Sequence, residues 1–67
     1  MAKIQLNGKN ITIRPKSTIY DLLKKFKLNT KKVALELNGV IISKGNYKKK
    51  YLKSNDKMEV VHFIGGG

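Results

Sequence analysis

Residues 3–14 alternate apolar and polar side chains, and a short polar segment interrupts the alternation once. The apolar positions of the pattern are Ile4, Leu6, Ile11 and Ile13. A period of two is typical of strands with one buried face, so the segment is predicted to form an antiparallel β-hairpin. A turn centred on Gly8 and Lys9 places Leu6 opposite Ile11, whereas a turn centred one residue earlier places Leu6 opposite Lys9. We favour the first register, because glycine at the first central position suits a type II′ turn.

One amphipathic helix is predicted after this hairpin. Pro15 ends the second strand because it lacks the amide hydrogen that a sheet ladder requires. Thr18 is the predicted N-cap, and Asp21 three residues later completes a capping box. Apolar residues then recur at helical spacing, as Ile19, Leu22, Leu23 and Phe26. This stripe predicts a helix that packs one face on the sheet and ends near Asn29 and Thr30.

The second half of the chain carries the signals of further strands. Residues 33–37 alternate again, and an Asn-Gly pair at 38–39 turns the chain into a short apolar strand at 40–42. Residues 43–53 are rich in lysine and are predicted to form a loop with one irregular helical turn. The large side chains expected to anchor this loop are Tyr47, Tyr51 and Leu52. Residues 58–64 are apolar on both faces, as in a central strand, so we expect an α+β sheet with one helix on one face.

Length and composition exclude several classes of function. The chain has 67 residues and no cysteine, which excludes disulfides and thiolate metal sites. No apolar run approaches the ~18 residues of a membrane span, so we expect a cytoplasmic domain. The acidic residues are Asp21, Glu36, Asp56 and Glu59, and no two have a helical spacing that would pair them. His62 is the single histidine and no Gly-x-Ser-x-Gly motif occurs, so we expect neither an enzyme nor a metal site.

The most informative motif is the run of three glycines at residues 65–67. Such a segment would span about 10 Å when extended and could pass through a channel too narrow for a Cβ atom. It ends in a carboxylate, which becomes a reactive acyl donor once it is joined to AMP as a mixed anhydride. The motif therefore indicates a carrier whose chemistry occurs on its own C-terminus, inside a partner enzyme. The alternative interpretation is a frayed end or a linker.

Together with its context, this ending resembles the thiamine-biosynthesis sulfur-carrier (ThiS) family, and the resemblance covers residues 3–67. The segments that carry it are Leu6-Asn7-Gly8, Thr18 with Leu22-Leu23, Val33-Ala34-Leu35-Glu36-Leu37-Asn38-Gly39, Tyr47, Leu52, and Asn55-Asp56-Lys57-Met58-Glu59-Val60-Val61 followed by Phe63-Ile64-Gly65-Gly66-Gly67. The resemblance implies a ubiquitin-like β-grasp fold, with a mixed four- to five-stranded sheet whose first and last strands lie parallel and adjacent at its centre. Residues 1–64 would form a single domain, and residues 65–67 a flexible glycine tail.

The resemblance also implies a mechanism at the C-terminus. An adenylating enzyme related to ubiquitin-activating enzymes would use ATP and Mg²⁺ to adenylate the carboxylate of Gly67. A persulfide donor would then replace AMP with sulfur, and the resulting thiocarboxylate would donate its sulfur to thiazole synthase. Gly65 and Gly66 would thread the partner active sites. The carrier itself would bind no cofactor.

The last predicted strand also offers a surface to such partners. If the even-numbered side chains from Met58 to Ile64 face the helix, then Val61 and Phe63 face away from it. A partner-docking patch would lie there.

Three other functions stay open for such a chain. The small subunit of molybdopterin synthase shares the fold and the Gly-Gly end, and a ubiquitin-like modifier would use the same activated glycine to acylate a lysine. The net charge of +11, with 15 Lys+Arg against 4 Asp+Glu, also invites RNA binding through Lys48, Lys49 and Lys50 beside Tyr51. Nearly all basic residues are lysines spread along the chain, so nucleic-acid binding ranks below a solvated lysine-rich surface and below docking to acidic partners.

Overall fold

Two β-hairpins, a helix and a final strand make up the fold of residues 1–62, the part of the chain that the computed structural model describes. In chain order the elements are β1 (Ala2–Leu6), β2 (Lys9–Ile13), α1 (Ile19–Lys25), β3 (Val33–Leu37), β4 (Val40–Ile42), a 3₁₀ turn (Lys44–Asn46) and β5 (Lys57–His62). The sheet order is β2-β1-β5-β3-β4, with β1 and β5 parallel and the other neighbours antiparallel. The predicted mixed sheet, with its first and last strands parallel at the centre, is therefore confirmed.

The hydrophobic core lies between α1 and one face of this sheet. Its members are Ile4, Ile13, Ile19, Leu22, Leu23, Val33, Leu35, Leu37, Tyr47, Leu52, Met58 and Val60. The strand members alternate with exposed or half-buried residues, as the period of two predicts. No helix of residues 1–62 is long and apolar enough to cross a membrane.

The register of the first hairpin differs from the prediction. The turn is centred on Asn7 and Gly8, which both have positive φ angles of 51° and 82°, as in a type I′ turn. Leu6 therefore pairs with Lys9, and Ile4 pairs with Ile11. Both registers leave the apolar side chains on one face, so the hydrophobic pattern could not separate them. Turn chemistry decides, because asparagine followed by glycine is the preferred type I′ pair.

The start of α1 is as predicted, but its end comes earlier. The Thr18 hydroxyl accepts a hydrogen bond from the Asp21 amide at 3.1 Å, and the Asp21 carboxylate accepts one from the Thr18 amide at 3.0 Å. The helix stops at Lys25 because Lys27 adopts a left-handed φ of 57° and the chain closes in a Schellman motif. The prediction of an end at residues 29–30 was wrong. Phe26, predicted in the buried stripe, is the C-cap and is 43% exposed.

The lysine-rich loop contains the predicted irregular turn, at Lys44–Asn46. Tyr47 and Leu52 are buried and anchor it, but Tyr51 is 60% exposed, so the prediction of an anchoring ring there was wrong. Tyr51 is held instead through a backbone bridge to Thr18.

Candidate functional site

The structure describes only some of the predicted site residues. Gly65, Gly66, Gly67 and Phe63 lie outside the residues that the structure describes. The structure does describe the strand that leads into them. β5 lies between β1 and β3, and it pairs with β3 as far as His62, opposite Val33. The base of the predicted carrier tail is therefore the central strand of the sheet.

Two asparagine side chains bind the backbone of β5. Asn38 accepts a hydrogen bond from the Lys57 amide at 2.9 Å, at the beginning of the strand. Asn7 bonds both backbone groups of Val60: its Oδ1 accepts from the Val60 amide at 2.8 Å, and its Nδ2 donates to the Val60 carbonyl at 3.2 Å. Sequence reasoning found Asn7 and Asn38 as turn residues and missed these bonds. The one available signal was that asparagine occupies the first turn position of both hairpins.

Buried Asp56 organises the turn before β5. Its carboxylate accepts hydrogen bonds from the Asn38 amide group at 3.0 Å and from the Lys53 backbone amide at 2.9 Å. Asn55 beside it has a positive φ of 73°, which asparagine tolerates. Among the residues described, no group of three or more His, Cys, Asp or Glu residues could hold a metal ion. Asp56 is thus a structural carboxylate with its oxygens already occupied.

The face of the sheet opposite α1 carries the predicted docking residue Val61. Val61 is 60% exposed and pairs across the sheet with Ala34, while Met58 and Val60 are buried on the other side. Ile41 adds a second exposed apolar side chain to this face, at 76% exposure. His62 pairs with buried Val33, so it lies on the helix side of β5 as the alternation predicts, but its side chain is exposed there.

Two acidic side chains lie on the same open face as Val61. Glu36 and Glu59 are directly paired across β3 and β5, and both are exposed. Like charges placed directly opposite each other destabilise a sheet, typically by a few tenths of a kcal/mol to ~1 kcal/mol. The remaining acidic residues, Asp21 and Asp56, are engaged in the capping box and the turn. The open face therefore holds the two carboxylates that structural hydrogen bonds do not use.

Lysines surround the helix and the loop on the other side of the molecule. The ammonium groups of Lys48 and Lys24 lie 4.7 Å and 5.6 Å from the ring centre of Tyr20. These distances suit cation–π contacts: the Lys24 contact lies within α1, and the Lys48 contact holds the loop against α1. Lys48, singled out in the sequence as part of an RNA-binding run with Tyr51, thus contacts Tyr20 instead.

Comparison with known proteins identifies the family. A model of the ThiS family matches residues 4–67. The sulfur carrier protein ThiS of Bacillus subtilis is 43% identical over 65 residues, which cover 96% of this chain and 98% of that protein. A thiazole synthase of Magnetococcus marinus is 42% identical over 65 residues, but this chain spans only 20% of that protein's length. The crystal structure of ThiS from Geobacter metallireducens aligns with a TM-score of 0.83 at 28% identity, covering 97% of this chain and 99% of that one. The chain therefore belongs to the ThiS family.

Proposed function

We propose that this chain is the sulfur carrier of thiamine biosynthesis and that the carboxylate of Gly67 is the group that carries the sulfur. The observation that carries the proposal is the end-to-end match to the Bacillus sulfur carrier protein, in a chain that ends in three glycines. The chain acts as a substrate of its partners rather than as an enzyme. The match to the Bacillus sulfur carrier protein over nearly the whole length of both chains supports this role.

The proposed chemistry takes place in three steps on Gly67. The Gly67 carboxylate attacks the α-phosphorus of ATP in the adenylating enzyme, which releases pyrophosphate and leaves an acyl adenylate. The terminal sulfur of a persulfide then displaces AMP and leaves an acyl disulfide. A thiol attacks the donor's sulfur in this acyl disulfide, so that a new disulfide forms, the thiol proton is released and the thiocarboxylate leaves. Gly65 and Gly66 thread the narrow partner sites, because neither has a Cβ atom. ATP and Mg²⁺ belong to the partner, and the reaction is assigned to the cytoplasm.

Thiazole synthase is the proposed acceptor of the sulfur. The thiazole synthase of Magnetococcus marinus contains a region similar to almost all of this chain within one longer polypeptide. A covalent connection keeps two proteins at a high effective concentration, which is useful when one passes a group to the other. This supports thiazole synthase as a partner, and the adenylating enzyme and the persulfide donor complete the proposed set.

The open sheet face is the proposed docking surface for these enzymes. Val61 is proposed to provide apolar contact near the tail, together with Phe63, which lies outside the described residues. Glu36 and Glu59 are proposed to receive basic groups of the partner, because a cation between them would relieve their mutual repulsion.

Intact-mass spectrometry tests the proposed function. The chain is incubated with its host's adenylating enzyme, Mg-ATP and a persulfide source, and a variant lacking Gly67 is the matched control. We expect one oxygen of the full chain to be replaced by sulfur, and no change in the truncated variant. A thiocarboxylate on the truncated variant, or none on the full chain with an active enzyme, would contradict the proposal. An isopeptide-linked conjugate would instead identify a ubiquitin-like modifier.

A further inference from the structure

The hydrogen bonds between β1 and β5 are continued by a side chain where the β1 backbone turns away. The Gln5 and Asn7 amides donate to the carbonyls of Asp56 and Met58, both at 2.9 Å, as in a regular parallel ladder. A continued ladder would next join the Val60 amide to the Asn7 carbonyl, and the Val60 carbonyl to the amide of the residue two positions further on. β1 ends at Leu6, however, and the type I′ turn leads the chain into β2.

The carboxamide of Asn7 occupies both of these positions. Its Oδ1 accepts from the Val60 amide and its Nδ2 donates to the Val60 carbonyl, so a single side chain replaces one acceptor and one donor of the missing strand. The turn itself does not require this side chain, because glycine also adopts the positive φ angle of this position. Asparagine therefore has a second role here, which is to hold the later half of β5.

We infer that Asn7 is a positioning residue of the carrier, which fixes the direction in which β5 leads into the tail. Val60 is followed by Val61 and His62, which pair with Ala34 and Val33, the first two residues of β3. On the β1 side, the Asn7 side chain makes the bonds to Val60 where the backbone pairing stops at Leu6 opposite Met58. Without it, the end of β5 would be held by β3 alone. The inference rests on the proposed function, because a partner enzyme would receive the chain that follows β5.

The second hairpin supplies a matched control. Asn38 also occupies the first position of a type I′ turn, with a φ of 53°, and also binds the β5 backbone through its side chain. It holds Lys57, however, at the end of β5 that is further from the tail. The substitutions Asn7→Gly and Asn38→Gly therefore both keep a turn-compatible backbone and both remove side-chain hydrogen bonds to β5, at Val60 and at Lys57 respectively. Asn38→Gly also removes the bond to the buried Asp56 carboxylate, which precedes the strand.

The experiment compares hydrogen exchange and tail activation in these two variants and the unchanged chain. We expect Asn7→Gly to speed exchange of the Val60 amide by at least about tenfold, because two hydrogen bonds are lost. Asn38→Gly should speed exchange at Lys57 and leave Val60 within about threefold. With the adenylating enzyme, kcat/KM for tail adenylation should fall about three- to tenfold in Asn7→Gly and stay within twofold in Asn38→Gly.

Equal kcat/KM values for the two variants would overturn the positioning role, and so would an unchanged Val60 amide in Asn7→Gly. Asn7→Asp is the second test variant, because it keeps the size of the side chain and the Oδ1 acceptor but replaces the Nδ2 donor by a charged carboxylate oxygen that cannot bind the Val60 carbonyl. It decides the matter if the glycine variant does not fold. If the unchanged chain is not adenylated at all, the proposed function itself is wrong. The positioning role would then fall too, even if Asn7→Gly speeds exchange of the Val60 amide.

Discussion

Val61 and Val40 provide a direct test of the proposed docking face. Both valines are 60% exposed, and both lie on strands of the same sheet. Val61 pairs with half-buried Ala34 on the open face, whereas Val40 pairs with buried Leu37, which belongs to the core side. The substitutions Val61→Thr and Val40→Thr therefore make the same chemical change at equal exposure on opposite sides of the sheet.

The magnitude follows from the exposed fraction of Val61. Complete burial of a valine side chain contributes about 1.5–3 kcal/mol, so covering the exposed 60% contributes about 1–2 kcal/mol. Threonine keeps the shape and the strand preference but would bury a hydroxyl group without a partner. We expect Val61→Thr to raise the Kd for the adenylating enzyme about 5–30-fold, and Val40→Thr to change it less than twofold.

Isothermal titration calorimetry of each variant with the adenylating enzyme provides the measurement, and urea unfolding provides the control. Both substitutions are at exposed sites, so the free energy of unfolding should change by less than ~0.5 kcal/mol in each. If the two variants weaken binding equally, or if neither does, the open face is not the docking surface. The assignment of Val61 and Phe63 as docking residues would then be abandoned.

Three further predictions concern stability. Thr18→Ala should lower the free energy of unfolding by about 1–2 kcal/mol, because it removes the N-cap bond to the Asp21 amide; a loss below ~0.5 kcal/mol in urea unfolding would contradict this. The Tyr47 hydroxyl is buried with no hydrogen-bond partner among residues 1–62, so Tyr47→Phe should stabilise the chain by about 1 kcal/mol. Burial also raises the pKa of Tyr47, so ionisation of the phenol favours the unfolded chain. The free energy of unfolding therefore keeps its full value below the ordinary pKa of tyrosine near 10 and falls as pH rises through the higher folded value; at high pH the phenylalanine variant should lose less stability. Glu59→Lys should raise the free energy of unfolding by about 0.2–1 kcal/mol, because an opposite-charge pair with Glu36 then replaces the like-charge pair. The same variant should weaken partner binding in the calorimetric assay. Stronger binding would show that net charge alone governs docking.

Much of the candidate site could be predicted because its signals are local. The alternation of β5 already indicated that Val61 faces away from the helix, and the structure places it there with 60% exposure. Thr18 and Asp21 are three residues apart, so the capping box could be predicted from spacing alone and is confirmed. The glycines at 65–67 were identified in the same way, and their assignment as the loaded tail stays a prediction.

The partners of side chains across the sheet were decided only by the tertiary structure. Both registers of the first hairpin place Ile4 on the buried face, and the pattern therefore could not show that Ile4 lies opposite Ile11. Asn7 looked like a turn residue, and nothing near it in sequence indicated that its carboxamide bonds Val60, 53 positions away. A period of two determines which face a side chain takes, because it depends on the backbone of one strand. Which residue lies opposite depends on how separate strands meet, and only the folded chain brings Asn7 to the central strand that leads to the tail.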